Sequence, residues 1–318
     1  MDPLGGARAI VGAAGRDGID WPATRTAARA MVDPGDLDLD SASRDAYAAD
    51  IREARAGIQS ATGIEFDLPG TVEVQNRRHW IDATLSTLEA AFEPLGTDAG
   101  RFPAITGPLN TASVAGSVAY LSRRVMGQYD PRLFAGDRSP TLYIVHPNVV
   151  RVATELDVSV DRFRRWIAFH EVAHAAEFGM APWLRDYLAT RVRGVISELA
   201  TGSIPRVQYG ELNRAMTAVE GYAELLMDEA IDQATADLRR KLDERRAGGG
   251  PLSRLVARLL GLDVKRAQYE RGSRFFEAIV AARGVKGAGL VWATPDNLPR
   301  EAELESPARW LDRMSPKN

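Results

Sequence analysis

Apolar residues recur at helical spacing along most of the chain. Between residues 71 and 93 they stand three, four and seven positions apart, which is the pattern of one helix face. These apolar positions are Val74, Ile81, Leu85, Leu88 and Phe92. A candidate serine cap at Ser41, followed by strong helix formers, predicts another helix over 41–61. The same criteria predict helices over 110–127, 159–179, 182–202, 210–236, 237–247, 251–260, 264–283 and 306–314.

One segment has a clear strand pattern. The stretch "TLYIV" (141–145) is short, β-branched and aromatic, and it ends at His146-Pro147. Because the residue before a proline avoids the helical conformation, we expect His146 to be extended. Residues 127–140 are rich in turn residues, and 286–299 are predicted to form a loop with at most one short strand. The chain is therefore predicted to be mainly α with very little β-sheet.

Composition and charge narrow the class of protein. The 318 residues include 40 Lys and Arg, 43 Asp and Glu, and no cysteine, which gives a net charge of −3. Without a basic excess, we expect neither nucleic acid nor an anionic membrane as the main partner. The lack of cysteine excludes disulfides, a cysteine nucleophile and thiolate metal sites. Since the sequence also has no run of about 18 apolar residues and no signal-peptide pattern, it predicts a cytoplasmic protein.

The stretch "WIAFHEVAHAAEFG" (166–179) contains two of the four histidines in the chain. His170 and His174 are one helical turn apart, so both imidazoles leave the same helix face and can bind one metal ion. Glu171 is rotated by about 100° from His170, which places it beside the ion, where it can deprotonate a metal-activated water. The alternative is two buried histidines that only make hydrogen bonds. The His-Glu-x-x-His spacing on an apolar helix face favours a zinc site.

A further protein ligand must be a carboxylate or another histidine, because the chain has no cysteine. No third histidine follows at the metzincin spacing, where Glu177 and Met180 stand instead. A carboxylate from a second helix is the remaining common choice. In "AVEGYAELLMDEAID" (218–232), Glu220, Glu224 and Asp228 form a row on one helix face. Glu220 and Glu224 are the candidates for the third ligand.

The segment "EGYA" (220–223) resembles the Asn-Glu-Gly-Phe/Tyr-Ala segment of the aminopeptidase-like gluzincins, whose glutamate is the third zinc ligand. This resemblance favours Glu220. Glu224 is the second choice and would otherwise orient a histidine, as would Glu177, which follows His174 on the same helix face. His146 is a weaker alternative ligand, since zincins commonly run an edge strand beside the active-site helix.

A longer stretch, "LYIVHPNVVRVATELDVSVDRFRRWIAFHEVAHAAEFGMAPWLRDYL" (142–188), is similar to the central block of an uncharacterised family of zincin-like proteins. Its members are labelled hydrolases or zinc-dependent metalloproteases, and one branch is labelled as associated with biosynthesis of a deazaflavin coenzyme. Further blocks match at "GQYD" (127–130), "EGYAELLMD" (220–228), "GLDVKRAQYERGSRFFEAIV" (261–280) and "LVWATPDNLPREAELESPARWLDR" (290–313). The resemblance implies one zincin-like domain over 1–318, in which two helical lobes can flank a metal cleft.

The family resemblance also implies site residues. These are the two motif histidines, the glutamate between them and, in the "EG" segment, Glu220. The chain departs from the family pattern at Tyr222, where other members have histidine, and at Glu177, where many have glutamine. Both departures concern residues around the predicted ligands rather than the ligands themselves.

Together these patterns predict a zinc-dependent hydrolase of the gluzincin type that acts on a peptide or a small amide. Zinc is the predicted cofactor, and Glu171 is the predicted general base. A tyrosine is expected to stabilise the oxyanion, with Tyr222 as the first candidate and Tyr269 and Tyr129 as others. The alternatives are a zincin-like scaffold without proteolytic activity and a metal-dependent enzyme that acts on a small-molecule coenzyme intermediate. The sequence leaves the oligomeric state open.

Overall fold

The computed structural model describes residues 19–93, 111–135, 139–200, 203, 205–231, 238, 240–242 and 262–315. These ranges are mainly helical with one small sheet, which confirms the predicted fold class. The strands are β1 (Thr71–Gln75), β2 (Gly127–Asp130) and β3 (Thr141–Val145). The α-helices are α1 (Trp21–Ala30), α2 (Ser41–Thr62), α3 (Arg77–Phe92), α4 (Thr111–Leu121), α5 (His146–Glu155), α6 (Val160–Met180), α7 (Leu184–Ala200), α8 (Arg206–Ala230), α9 (Leu262–Ala288), α10 (Glu301–Glu305) and α11 (Pro307–Arg313). Two 3₁₀ helices, Gly289–Trp292 and Pro295–Asn297, lie between α9 and α10.

The chain divides into two compact units. The sheet unit comprises Met1–Ala42, Gly70–Val152 and Leu188–Tyr209. The helical unit comprises Ser43–Pro69, Ala153–Tyr187 and Gly210–Asn318. The single domain over 1–318 stays a prediction. Within the described ranges, no helix combines the length and the hydrophobicity needed to cross a membrane.

β3 is the central strand of the sheet unit. It pairs in parallel with β1, with Thr71 opposite Thr141, and antiparallel with β2, with Asp130 opposite Thr141. All five residues of β3 are buried, as expected for a strand that is covered on both faces. Helices α1, α3 and α4 contribute most of the hydrophobic core of this unit, which Val145 at the end of β3 joins.

Residues 71–75 form a strand, so the helix predicted over 71–93 is wrong in its first part. Val72 and Val74 also fit the two-residue period of a strand, and pairing with the buried β3 decides between the two conformations. Asn76 then caps α3, because its side chain accepts hydrogen bonds of 3.0 and 3.1 Å from two N–H groups of the first turn.

The expectation that His146 is extended is wrong. α5 begins at His146, directly after β3, and Pro147 lies in its first turn. A proline fits this position because the first N–H groups of a helix have no partner within the helix. The local preference of the residue before a proline is therefore overridden by an immediate helix start.

One segment predicted as loop is regular, and one predicted as turn is regular in part. Residues 127–130 form β2 and a turn follows them, whereas 286–299 are largely helical, because α9 continues into them and the two 3₁₀ helices follow. α9 is kinked at Gly284, whose φ of +69° glycine adopts without strain. The helix predicted over 251–260 and most of that over 237–247 lie outside the described residues.

Two ion pairs join α2 to α6 in the helical unit. Arg164 donates to Asp50 at 2.5 Å, and the two side chains are only 11% and 12% exposed. Arg165 donates to Glu53 at 2.7 and 3.1 Å, and this pair is more exposed. Burial raises the pKa of Asp50, and the hydrogen bond and charge of Arg164 oppose that rise. The inner pair therefore depends on both of its charges being present.

A close crossing joins α8 to α9. A Cβ added to Gly221 would lie 2.4 Å from the carbonyl carbon of Gly272, and a Cβ added to Gly272 would lie 2.4 Å from the carbonyl oxygen of Thr217. Such distances are far below van der Waals contact, so each backbone needs glycine at this point. Gly221 directly follows Glu220, and the crossing therefore fixes the part of α8 that carries this carboxylate.

We expect Arg164→Gln to lower the free energy of unfolding by about 2–4 kcal/mol, because it leaves the buried Asp50 carboxylate without its partner. Arg165→Gln is the matched control at the next position of the same helix, and its exposed pair should contribute less than about 1 kcal/mol. Urea unfolding followed by circular dichroism measures both. Equal losses in the two variants would contradict the importance of burial at Asp50.

We expect Gly221→Ala to lower the free energy of unfolding by about 2–3 kcal/mol, since the new methyl group meets backbone that cannot rotate away. Gly116→Ala in α4 is the matched control, because a Cβ there meets nothing within 4 Å. It should be neutral or stabilise by up to about 1 kcal/mol through helix propensity. Thermal unfolding compares the two. If both variants were equally stable, α8 and α9 would separate at little cost.

Candidate metal centre

The motif histidines lie on one face of α6. The imidazole of His170 stacks on the indole of Trp166, with ring centroids 5.8 Å apart and an angle of 3° between the planes. The rings of His170 and His174 follow at 4.8 Å with an angle of 76°. Because Trp166 is itself buried, this stacking restricts the orientation of His170.

Glu220 reaches the two histidines from α8. One ligand atom from each of His170, His174 and Glu220 can be chosen so that all three lie within 4.8 Å of one another. Glu220 is 3% exposed, and the histidines are partly exposed. The structure therefore brings together, within the helical unit, the three residues that the sequence selected as metal ligands.

The chemistry of this group fits zinc. Two imidazoles and one carboxylate are the ligand set of catalytic zinc sites that keep a fourth position open. At zinc–ligand distances of about 2.0–2.1 Å, the ligand atoms of a tetrahedral site lie about 3.3 Å apart. Small side-chain rotations would bring the observed 4.8 Å spread to that value.

Buried negative charge gives a second reason for a cation. Glu171, Glu177, Glu220 and Glu224 are all buried, and the charges of the first three act on His174. Burying carboxylates is costly unless a cation compensates them. A divalent metal ion held by the His-His-Glu group would offset this buried negative charge.

Glu177 holds His174 by a hydrogen bond. Nδ1 of His174 and Oε2 of Glu177 are 2.7 Å apart. Burial lowers the pKa of His174, but the Glu177 hydrogen bond and the charges of Glu177, Glu220 and Glu171 outweigh burial and raise this pKa to about 9. Burial raises the pKa of Glu177 to about 7, against the opposing effect of His174. Because Nδ1 is engaged, Nε2 is the nitrogen of His174 that is available for a metal.

Tyr222, the first candidate for the oxyanion donor, is fully buried in an aromatic cluster. Its ring centroid lies 5.1 Å from that of Phe276 and 5.6 Å from that of Trp292, and its hydroxyl is 4.0 Å from Sδ of Met180. Because Tyr222 lies two residues after Glu220, its side chain is rotated by about 200° around the helix axis from that of Glu220. The side chain packs among these aromatic rings, and the oxyanion role of Tyr222 stays a prediction.

The other candidates are placed as follows. Glu224 is buried one turn after Glu220 but is not in the group within 4.8 Å. His146 and Tyr129 belong to the sheet unit. The side chain of Tyr269 lies outside the described residues.

Sequence reasoning missed the role of Gly221 and its contact with Gly272. The "EG" dipeptide was recognised for its glutamate, whereas the glycine is what permits the crossing that positions it. The available signal was the glycine itself, because glycine inside a strong helix pattern often marks close packing of another backbone. Its partner in α9 could not be identified from local sequence.

The helical fold and the His-His-Glu group are those of a zincin-like protein. The sequence profile of the zincin-like metallopeptidase family matches residues 19–208 and 205–311. The chain belongs to this family.

A solved structure supports the same class. The chain is similar to a candidate hydrolase with a novel fold from Chloroflexus aurantiacus, with 30% sequence identity and a TM-score of 0.75. The match covers 94% of this chain and 100% of that chain. No curated protein matches the chain. The family and the solved structure support a metallohydrolase in general, and the deazaflavin branch stays a prediction.

We expect the purified protein to bind about one zinc ion per chain, and Glu220→Gln to weaken zinc binding more than about 100-fold. Residues that only orient a ligand typically change metal affinity by about 10–100-fold, so a ligand should exceed that range. Zinc content by mass spectrometry and competition with a chromogenic chelator measure stoichiometry and affinity.

Glu224→Gln is the matched control for this prediction, since it neutralises a buried carboxylate one turn away on the same helix. It should weaken zinc binding less than Glu220→Gln, and His170→Ala should abolish it. A larger effect at Glu224 would identify that residue as the third ligand, and retention of zinc by His170→Ala would refute the site.

Proposed function

We propose that this protein is a zinc-dependent hydrolase of the gluzincin type that cleaves a peptide bond or a small amide. The observation that carries the proposal is the His170, His174 and Glu220 group within 4.8 Å, with Glu171 next to the first histidine on the same helix. Family membership supports a metallohydrolase, and the ligand chemistry favours zinc over metals that prefer oxygen alone.

The chain's own residues would share the metal between two helices. His170 and His174 come from α6 and Glu220 from α8. When bound, zinc supplies a Lewis acid that polarises a carbonyl group and makes water more acidic. The hydrogen bond from His174 to Glu177 fixes one imidazole for this task, and the stacking on Trp166 restricts the other.

Glu171 is the proposed general base. Its carboxylate accepts a proton from the water molecule whose oxygen attacks the carbonyl carbon. As the C–N bond breaks, the same proton passes from Glu171 to the leaving nitrogen. The products are a carboxylic acid and an amine, and Glu171 returns to its starting charge. Its buried position excludes bulk water, which strengthens its electrostatic interactions.

We expect Glu171→Gln to retain about one zinc ion per chain and to lower the hydrolytic rate by about 10²–10⁴-fold, because a glutamine cannot carry the proton. The substrates to screen with the zinc-loaded protein are an unfolded protein, short peptides and small amides. The measurement combines zinc content with initial rates for each substrate that the wild type cleaves.

Glu277→Gln is the matched control, since it neutralises an exposed glutamate of α9. It should leave both zinc content and rate unchanged. If hydrolysis survives Glu171→Gln, Glu171 is not the base and the mechanism is wrong. If zinc binds but no peptide or amide is cleaved, the zincin-like site serves a scaffold or a different small-molecule reaction.

A further inference from the structure

A cavity of about 510 Å³ lies in the helical unit and contains none of the proposed metal ligands. Its volume falls within the range of small-ligand pockets. Four charged residues line it, namely Arg214, Asp296, Arg300 and Arg313. The remaining wall includes the aromatic ring of Tyr187 and a short apolar stretch, so the cavity combines an excess of positive charge with an apolar side.

Arg313 builds the wall of this cavity. Its guanidinium donates to the carbonyl oxygens of Asp296 at 2.7 Å and Leu298 at 3.2 Å, and to both oxygens of Glu303 at 2.7 and 2.9 Å. The segment that contains Pro295, Leu298 and Pro299 is therefore clamped from behind. Prolines further restrict its backbone, so the apolar wall is preformed.

The charge of Arg313 is already compensated. Glu303 accepts its two hydrogen bonds and a third, of 2.8 Å, from the backbone N–H of Arg300. Burial disfavours the ionised form of Glu303, but these hydrogen bonds lower its pKa below the ordinary value, so Glu303 is a carboxylate. Three of its about four acceptor sites are engaged, so it cannot also take the guanidinium of Arg300 in a bidentate pair.

The charges of Arg214 and Arg300 are not compensated in this way. Arg214 is half-buried on α8, and among the described residues it has neither a hydrogen bond nor an ion pair. Arg300 makes no ion pair within 4 Å in the described ranges, and its charge acts on Glu303 only at longer range. The neighbouring carboxylates of Glu301 and Glu305 are held by Arg271 at 2.6 and 2.8 Å. Asp296 offsets one of these two positive charges at most, so the cavity keeps an excess of one positive charge.

We propose that this cavity binds a small organic anion, in which a carboxylate or phosphate group lies against Arg214 and Arg300 and an apolar part lies against the wall at 295–299. Guanidinium groups bind such anions through paired, charge-assisted hydrogen bonds. The half-buried position of Arg214 makes an unpaired charge there costly and a bound anion favourable. This site is separate from the proposed hydrolytic centre and does not depend on its chemistry.

The test is isothermal titration calorimetry at low ionic strength with three probes. N-acetyl-leucine carries a carboxylate, phenyl phosphate carries a phosphate, and N-acetyl-leucinamide is the neutral analogue of the first. We expect saturable binding of at least one anionic probe and at least about tenfold weaker binding of the amide. A preference for N-acetyl-leucine would identify a carboxylate ligand such as a peptide C-terminus, and a preference for phenyl phosphate would identify a phosphate ester.

Variants locate the binding. Arg214→Gln and Arg300→Gln should each weaken anion binding at least about tenfold. Arg309→Gln removes an exposed charge of α11 outside the cavity and should leave anion binding unchanged. Because Arg300 is exposed, its variant should fold even if Arg214→Gln does not. Lack of saturable binding, or equal weakening in all three arginine variants, would overturn the proposal. So would binding that persists in both cavity variants and disappears in His170→Ala, which would place the anion at the metal centre.

Discussion

The two helices that carry the candidate metal ligands also bury several carboxylates. Glu171, Glu177, Glu220 and Glu224 are all buried, and the charges of the first three raise the pKa of His174. Burial raises the pKa of Glu177, which is one sign that burying these carboxylates costs free energy. A cation held by His170, His174 and Glu220 would interact favourably with these carboxylates, so metal binding would stabilise the same unit that carries the proposed chemistry.

Backbone geometry brings the third carboxylate into place. Glu220 can approach the histidines of α6 only if α8 is held firmly, and the crossing of Gly221 with Gly272 holds it against α9. In the same unit, the buried pair of Arg164 with Asp50 joins α6 to α2. Packing on both helices therefore restricts the ligand positions, which is what a preorganised metal site requires.

Much of the site was predictable because its signals are local. The spacing of His170 and His174 places both on one helix face, and the absence of cysteine directs the search to a carboxylate. The "EG" segment then selected Glu220, which the structure brings to the histidines. The contact of Glu177 with His174 also follows from helical spacing.

Prediction from sequence failed where distant residues decide the outcome. Residues 71–75 have an apolar spacing that suits a helix and a strand, and pairing with β3 selects the strand. The aromatic residues that enclose Tyr222 come from α9 and the 3₁₀ helix after it, and this packing could not be read from the local sequence. The lack of an ion pair at Arg214 could not be predicted from the sequence either, since only the folded chain shows that no carboxylate of the described ranges reaches it.

α8 links the metal centre to the cavity that we propose to bind an anion. Arg214 and Glu220 are six residues apart, which corresponds to about 9 Å along the axis and about 240° around it. The two side chains therefore leave different faces of the helix, and the cavity is not the open coordination position of the metal. One helix therefore carries a buried carboxylate and a half-buried guanidinium on different faces. The carboxylate lies with two histidines in the candidate metal group, and the guanidinium lines the cavity.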